Sequence, residues 1–323
     1  MLQIAVLDDY QRMARSLADW RRLGNAVEVV FFHEPIAQPS LAGTLRDFDA
    51  LVVMRERTFL SRGVLSELDR LRLVVTTGMR NAALDVAYLR AKGVVVSGTN
   101  GSSAPTLPGV PSPVEVAFAL ILATTKRVVL EDRALRGGYW QLGIPGRLGG
   151  ATLGLAGLGR LGSAMVAPAR AFGMEVIAWS ENLSVARADE FGVEPVSKAA
   201  LLERSDVLSI HLVLSERTRG LFGAAELAAM KPSAVLVNTA RGPIVDEVAL
   251  IEALRRKVIA AAGLDVYDTE PLPAGHPLLE LENLVLLPHL GYVTEADLKV
   301  MYQEAVEDIA AYLAGSPIRQ LEG

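Results

Sequence analysis

Thr152-Leu-Gly-Leu-Ala-Gly157-Leu-Gly159-Arg160-Leu161-Gly162 sets the frame for the rest of this chain. A short β-capable run, 152–156, leads straight into three glycines spaced Gly-x-Gly-x-x-Gly, and a helix-period segment continues to Phe172. In that order the three parts form a dinucleotide cradle. The first glycine permits a tight turn, the second lets the backbone approach a pyrophosphate, and the third lets helix pack on strand. The N–H groups around Arg160 and Leu161 would then face the diphosphate at the positive end of the helix. Alone, the hexapeptide also fits an ordinary tight turn. The second strand that follows, 175–179, favours the dinucleotide.

Outward from this unit, β-branched runs alternate with helix-period segments, the pattern of parallel sheets with crossover helices. Upstream the strand candidates are 4–7, 27–32, 50–53, 73–76 and 94–97, with helices expected over 10–23 and 81–91. The alternation stops at 98–113, where four prolines fall among glycines and serines, a loop or hinge composition. One long helix is expected from 114 to about 136, then a second loop, 137–150. Downstream of the glycine unit lie strands at 207–211, 234–238, 260–265 and 284–288. The last helix opens at Thr294 with Asp297 three residues on, a capping-box spacing, and its stripe Leu298, Met301, Ala305, Ile309, Tyr312 keeps the helical period. Two βα series imply an α/β protein of two doubly wound parallel-sheet domains, with ligands bound in a cleft between them.

Length and composition agree with this. A chain of 323 residues exceeds one ordinary core. Apolar residues make up 51% and charged residues 21%, the balance of a globular enzyme. A net charge of −5 disfavours nucleic acid as a partner. The absence of cysteine excludes disulfides, thiolate metal sites and a cysteine nucleophile, and fits a cytoplasmic address. No secretory signal is read at the start. The longest apolar stretch, 116–125, is half a membrane span before Lys126 and Arg127 end it, so no membrane partner is expected and it reads as a buried helix. No metal site is expected.

After the strand 175–179, a carboxylate would ordinarily take the ribose hydroxyls and repel a 2′-phosphate. Here Ser180 comes first and Glu181 second, with no arginine before Arg187, which favours NAD and leaves NADP open. Hydride transfer to a keto acid further needs a cation for the carboxylate, an acid for the forming alkoxide, and a group that keeps this acid protonated. Four histidines are candidates. His33 ends a first-series strand and His276 sits in a Pro/Gly loop, so His211 and His289, both at C-terminal strand ends of the second series, are favoured. Spacing does not separate these two. Arg241, on the turn Asn238-Thr239-Ala240-Arg241-Gly, suits a bidentate carboxylate contact. Glu270, in Asp265-Val-Tyr-Asp-Thr-Glu270-Pro, would pair with a histidine and favour its charged form, with Asp265 and Asp268 as rivals.

At this point nearly the whole chain resembles the D-isomer-specific 2-hydroxyacid dehydrogenases. The resemblance rests on the glycine stretch, on Val237-Asn-Thr-Ala-Arg-Gly-Pro-Ile-Val-Asp246, on Gly263-Leu-Asp-Val-Tyr-Asp-Thr-Glu-Pro-Leu272 and on Pro288-His-Leu-Gly291, in that order. It implies a Rossmann-type NAD(P)-binding domain over 111–292 and a flavodoxin-like substrate domain over 1–110, completed by 293–323. It also implies Arg241 as substrate arginine, Glu270 as the acid paired with the histidine, and His289 as proton donor and acceptor. Asp265 would hold the nicotinamide carboxamide, and His211, Thr239 and Ala240 would lie beside the cofactor with Ser180 and Glu181. Thr77, Gly78, Met79 and Arg80 match the first-domain loop whose N–H groups meet the substrate carboxylate. A homodimer through the cofactor domains is implied as well, with 114–150, Tyr139 and Trp140 included, at the contact. Closure with hinges near 98–113 and 288–294 would exclude water.

The chain departs from the family pattern at Ser180, at Met79 and Arg80, and in the proline-rich 99–113. The last two bear on which 2-oxo acid is used: glyoxylate, hydroxypyruvate or a bulkier one. Glutamate at 270 argues against the formate-oxidising branch, which carries glutamine there. A dinucleotide-sensing regulator and a phosphite-type dehydrogenase are the competing readings.

Overall fold

The computed structural model of the chain describes residues 1–101 and 109–322. It divides into two compact units, Met1–Pro108 with Tyr292–Gly323, and Gly109–Gly291. The first unit is built on strands β1 (Leu2–Val6), β2 (Val27–Phe31), β3 (Ala50–Val53), β4 (Leu73–Thr76) and β5 (Val95–Gly98). They form one parallel sheet in the order β2-β1-β3-β4-β5, the flavodoxin-like arrangement. Every residue of β3 and β4 is buried, which is why these strands read as unbroken apolar runs: both faces are covered.

One face is covered by helix Glu295–Leu313, whose Leu298, Met301, Tyr302, Ala305, Val306 and Ile309 join Ile4, Val6, Val52, Leu73 and Val75 in a single core. Each large side chain buried there contributes about 1.5–3 kcal/mol. Thr294 caps the helix by accepting the Asp297 N–H at 3.1 Å. The residues after it add the C-terminal tail to the sheet edge, through Leu321 N–H to the Val96 carbonyl at 2.9 Å and Gly98 N–H to the Arg319 carbonyl at 2.9 Å.

The second unit carries β6 (Thr152–Ala156), β7 (Glu175–Trp179), β8 (Glu194–Pro195), β9 (Val207–Ile210), β10 (Val235–Asn238), β11 (Ala261–Leu264) and β12 (Leu284–Leu286). Their parallel order, β12-β11-β10-β9-β6-β7-β8, reverses direction between β6 and β9, as in a Rossmann-type sheet. Helix Ser112–Thr125 lays Val114, Ala117, Leu120 and Ile121 into one of its cores. The close approach at Gly263, where a Cβ would meet Leu120 Cβ at 3.0 Å, shows how tightly that helix sits on β11.

Three helix expectations need correction. Residues 10–23 hold only Ala14–Leu17 and a 3₁₀ turn Trp20–Leu23, because Ala18 is extended between them. Over 81–91 the helix begins at Val86, since Asn81 is held in a turn and Asp85 supplies the N-cap. The long helix 114–136 is two, Ser112–Thr125 and Val128–Arg136, broken where Arg127 adopts a left-handed φ of 57°. Much of the proline-rich stretch 99–113, with one expected hinge, lies outside the described residues.

Asp308 lies fully buried on the long helix. Burial pushes its carboxyl up to about 7, against the pull of Arg319 Nε at 2.9 Å. The unfolded chain releases this proton near pH 4, the ordinary value for aspartate being about 3.9. The folded state therefore binds the extra proton between about pH 4 and 7, and stability from this group falls as pH rises through that window. D308N removes that dependence. Its melting temperature relative to the parent should rise from about pH 4 to 7 in scanning calorimetry; a constant difference would free Asp308 of the role.

Candidate active site

The glycine turn leaves β6 at the point where the sheet order reverses. Gly157 has φ +103°, and a Cβ there would lie 2.7 Å from the His211 carbonyl oxygen. A Cβ on Gly162 would overlap the Gly157 carbonyl. Gly159 differs: nothing lies within 4 Å of where its Cβ would be. The first and third glycines are thus demanded by the protein's own packing, and the second opens onto space. That pattern fits a diphosphate approaching the backbone at 159. Helix Arg160–Ala164 follows and restarts as Val166–Ala171, because Pro168 has no N–H for the Ala164 carbonyl. At the end of β7, Ser180 is half-buried and Glu181 exposed.

His211 continues β9 against this turn, its N–H on the Ala156 carbonyl at 2.8 Å and its Nε2 2.9 Å from Ser209 Oγ. Burial pushes its imidazole down to about 4, so it is neutral at physiological pH. The other histidine of the pair stands elsewhere. His289 follows β12 with a left-handed φ of 54°, and its Nδ1 lies 2.6 Å from Glu270 Oε2. A carboxylate only accepts, so Nδ1 carries the hydrogen of this bond. Glu270 Oε1 accepts the Tyr267 N–H at 2.9 Å, which fixes the carboxylate from its other side.

Asp265 braces the same turn. It is fully buried at the end of β11, and its two oxygens accept the N–H groups of Leu290 at 2.7 Å and Gly291 at 2.8 Å. Burial raises its carboxyl to about 6 despite those bonds. Asp268, the other rival to Glu270, is raised by burial and by Glu247, away from the dyad. His276 pairs with Glu247 at 3.2 Å, and His33 with Asp9 at 3.3 Å in the first unit.

Arg241 is set on its turn by Asn238, whose amide donates to the Arg241 carbonyl at 2.9 Å and accepts the Ala240 N–H at 3.0 Å. Thr239 and Ala240 form the bend itself. A Cβ on Gly242 would overlap the Tyr267 carbonyl, so the Arg241 turn lies directly on the segment leading to Glu270. Strands β10, β11 and β12 are consecutive neighbours in the sheet, and their C-terminal ends bring Arg241, Glu270 and His289 to one edge of the second unit. Two features were silent in the sequence. Asn238 and Tyr267 act through bonds to backbone, which leave no spacing signature.

In the first unit, Thr77 and Gly78 sit at the end of β4. Thr77 Oγ1 accepts the Arg55 N–H at 2.9 Å, and Asn81 ties the turn to Thr76 Oγ1 at 2.9 Å. Met79 is 44% exposed and Arg80 exposed. Arg55 carries no motif, yet its guanidinium lies over Gly78 and donates to the Thr77 carbonyl at 3.3 Å.

Residues 118–291 match the family model of the D-isomer-specific 2-hydroxyacid dehydrogenase NAD-binding domain. The chain is 38% identical over 303 residues to a glyoxylate reductase of Aeropyrum pernix, covering 90% of this chain and 87% of that one. A solved phosphoglycerate oxidoreductase of Vibrio cholerae superposes with a TM-score of 0.90 at 34% identity, over 98% of this chain and 100% of that one. A D-lactate dehydrogenase of Aquifex aeolicus, solved with NAD and lactic acid, gives 0.78 at 26% identity, over 97% and 96%. The chain belongs to the D-isomer-specific 2-hydroxyacid dehydrogenase family. It is an NAD-dependent oxidoreductase acting on the CH–OH group of 2-hydroxy acids. No helix among the described residues is long and apolar enough to cross a membrane.

The glycine geometry separates binding from folding. G159A should keep the parent melting temperature and bind NADH at least tenfold more weakly in a fluorescence titration, one tenfold step being about 1.4 kcal/mol. G162A should lose both stability and affinity. Equal NADH affinity in G159A and the parent would remove this turn from the binding site.

Proposed function

We propose that the chain reduces a small 2-oxo acid to its D-2-hydroxy acid, reversibly, with Arg241 holding the substrate carboxylate and His289 delivering the proton. The observation that carries this reading is the 2.6 Å bond between His289 Nδ1 and Glu270 Oε2 at the strand edge that also bears Arg241. With Nδ1 committed to Glu270, Nε2 is the ring atom that gives a proton to the alkoxide oxygen and takes it back in oxidation. The carboxylate orients the ring through that bond. Arg241 offers paired N–H groups to the substrate carboxylate and polarises the keto oxygen. NADH, when bound, supplies the hydride.

Gly157, Gly159, Arg160, Leu161 and Gly162 are proposed to hold the diphosphate, and Ser180 and Glu181 the adenine ribose. His211, Thr239, Ala240 and Asp265 complete the cofactor contacts, Asp265 toward the carboxamide. In the first unit the turn Thr77–Gly78–Met79–Arg80 is proposed to meet the substrate carboxylate, and Arg55 over Gly78 adds positive charge there. In these roles the units serve as the NAD(P)-binding domain and the substrate domain. Glyoxylate and hydroxypyruvate are the first substrates to test, with bulkier keto acids beside them. The reading includes a cytoplasmic setting, where the dinucleotide circulates.

It also includes a homodimer. Loop 137–150 is held in shape by Glu131, which accepts the Leu142 and Gly143 N–H groups at 3.1 Å each. Yet it exposes Tyr139 by 64%, Trp140 by 76% and Ile144 by 95%, beside Val128 and Leu135 of the preceding helix. Several large apolar side chains exposed on one loop and the helix before it suit a protein contact, and a second copy is the proposed partner.

Two measurements test the reading. NADH consumption across a panel of 2-oxo acids should identify a substrate, and His289→Ala should slow its turnover about 10²- to 10⁴-fold while keeping NADH affinity. No turnover across the panel, or an undiminished rate in H289A, would sink the mechanism. By light scattering after size exclusion the parent should run as a dimer and an I144D/W140A double variant as a monomer; a monomeric parent refutes the dimer.

A further inference from the structure

The geometry points to Tyr267 as the positioning residue that sets the alignment of the Glu270–His289 pair. The inference rests on the proton-transfer reading above and adds a third residue to it. Tyr267 touches both partners' supports at once. Its backbone N–H donates to Glu270 Oε1 at 2.9 Å, so the carboxylate presents Oε2 to the imidazole. Its hydroxyl reaches across to β12 and donates to the Leu287 carbonyl at 2.7 Å.

That carbonyl is the one that closes the histidine's own turn. His289 N–H donates to it at 3.1 Å, across Pro288. The tyrosine hydroxyl and the histidine backbone therefore share a single acceptor, and the phenol anchors the turn whose residue 289 has a positive φ. The third catalytic position is tied in as well, because the Tyr267–Asp268 peptide lies on Gly242, next to Arg241. The ring is 7% exposed within the core of the second unit, where burial holds the phenol neutral, as a donor must be.

A phenylalanine at 267 would keep the ring packing and the backbone bond to Glu270 and delete only the hydroxyl. The Leu287 carbonyl would then hold the His289 turn through one bond instead of two. The imidazole would lose its fixed distance to Oε2.

Y267F should lower kcat by about three- to tenfold, with NADH affinity close to the parent and a melting temperature lowered by no more than the loss of one buried hydrogen bond explains. KM for the 2-oxo acid should hold while kcat falls, because the change reaches the proton donor and not the carboxylate-binding arginine. In the E270Q background Y267F should have little further effect on kcat, since the distance it sets no longer matters. An unchanged kcat with only a lower melting temperature would make Tyr267 a structural brace and overturn the inference. Equal, additive losses in both backgrounds would overturn it too. Undiminished turnover in H289A is a different failure, which sinks the underlying mechanism whatever Y267F does.

Discussion

The candidate active-site edge depends on one uncommon piece of backbone. His289 holds a positive φ, a region that side-chain-bearing residues seldom occupy and that persists only where the surroundings over-determine it. Here they do. Asp265 collects the two N–H groups that follow His289, the Leu287 carbonyl takes the His289 N–H, and Glu270 takes the ring. The bent turn aims the imidazole at the carboxylate, and each support comes from β11, β12 or the segment beyond β11. The sheet order explains why so few residues suffice. Adjacent parallel strands end at the same level, so three successive loops can converge without any long excursion.

Much of this was legible in the sequence, and the limits have physical causes. Strands 50–53, 73–76, 152–156 and 175–179 fall where they were expected, because parallel strands covered over most of their length leave short apolar runs with sharp ends. Two-residue β8 has too little pattern to read. The broken helices were misread because composition over 114–136 stays helical throughout, and the break is a single left-handed residue, Arg127. At the site, Arg241, Glu270 and His289 were legible through motifs, whereas spacing alone left His211 and His289 tied. Three dimensions separate them: one is wedged against the glycine turn, the other bonded to a carboxylate. The clamp role of Asp265 was hidden, since a buried acid that serves backbone N–H groups looks in sequence like any other acid.

Charge is handled locally. The chain is acidic overall, at −5, yet three of the groups proposed for its site are anionic: a diphosphate, a carboxylate and a developing alkoxide. The attraction must come from oriented groups at short range rather than from a global field. The two histidines show this division. His211 is kept uncharged by burial against the glycine turn, whereas His289 is oriented by a carboxylate at the other edge.

The first unit is discontinuous, and this matters for how the chain is made. Its sheet comes from residues 2–98, but the helix covering one face is 295–313. During synthesis Ile4, Val6, Val52, Leu73 and Val75 emerge early and stay uncovered on this face until residues 295–313 have left the ribosome. The intervening unit has all its own strands by then and can close first. Domains generally fold as units in the order they appear, and exposed apolar sheet is what aggregates. In this protein the N-terminal third must wait longest, so the interval between its emergence and the arrival of that helix is the vulnerable period of its biogenesis.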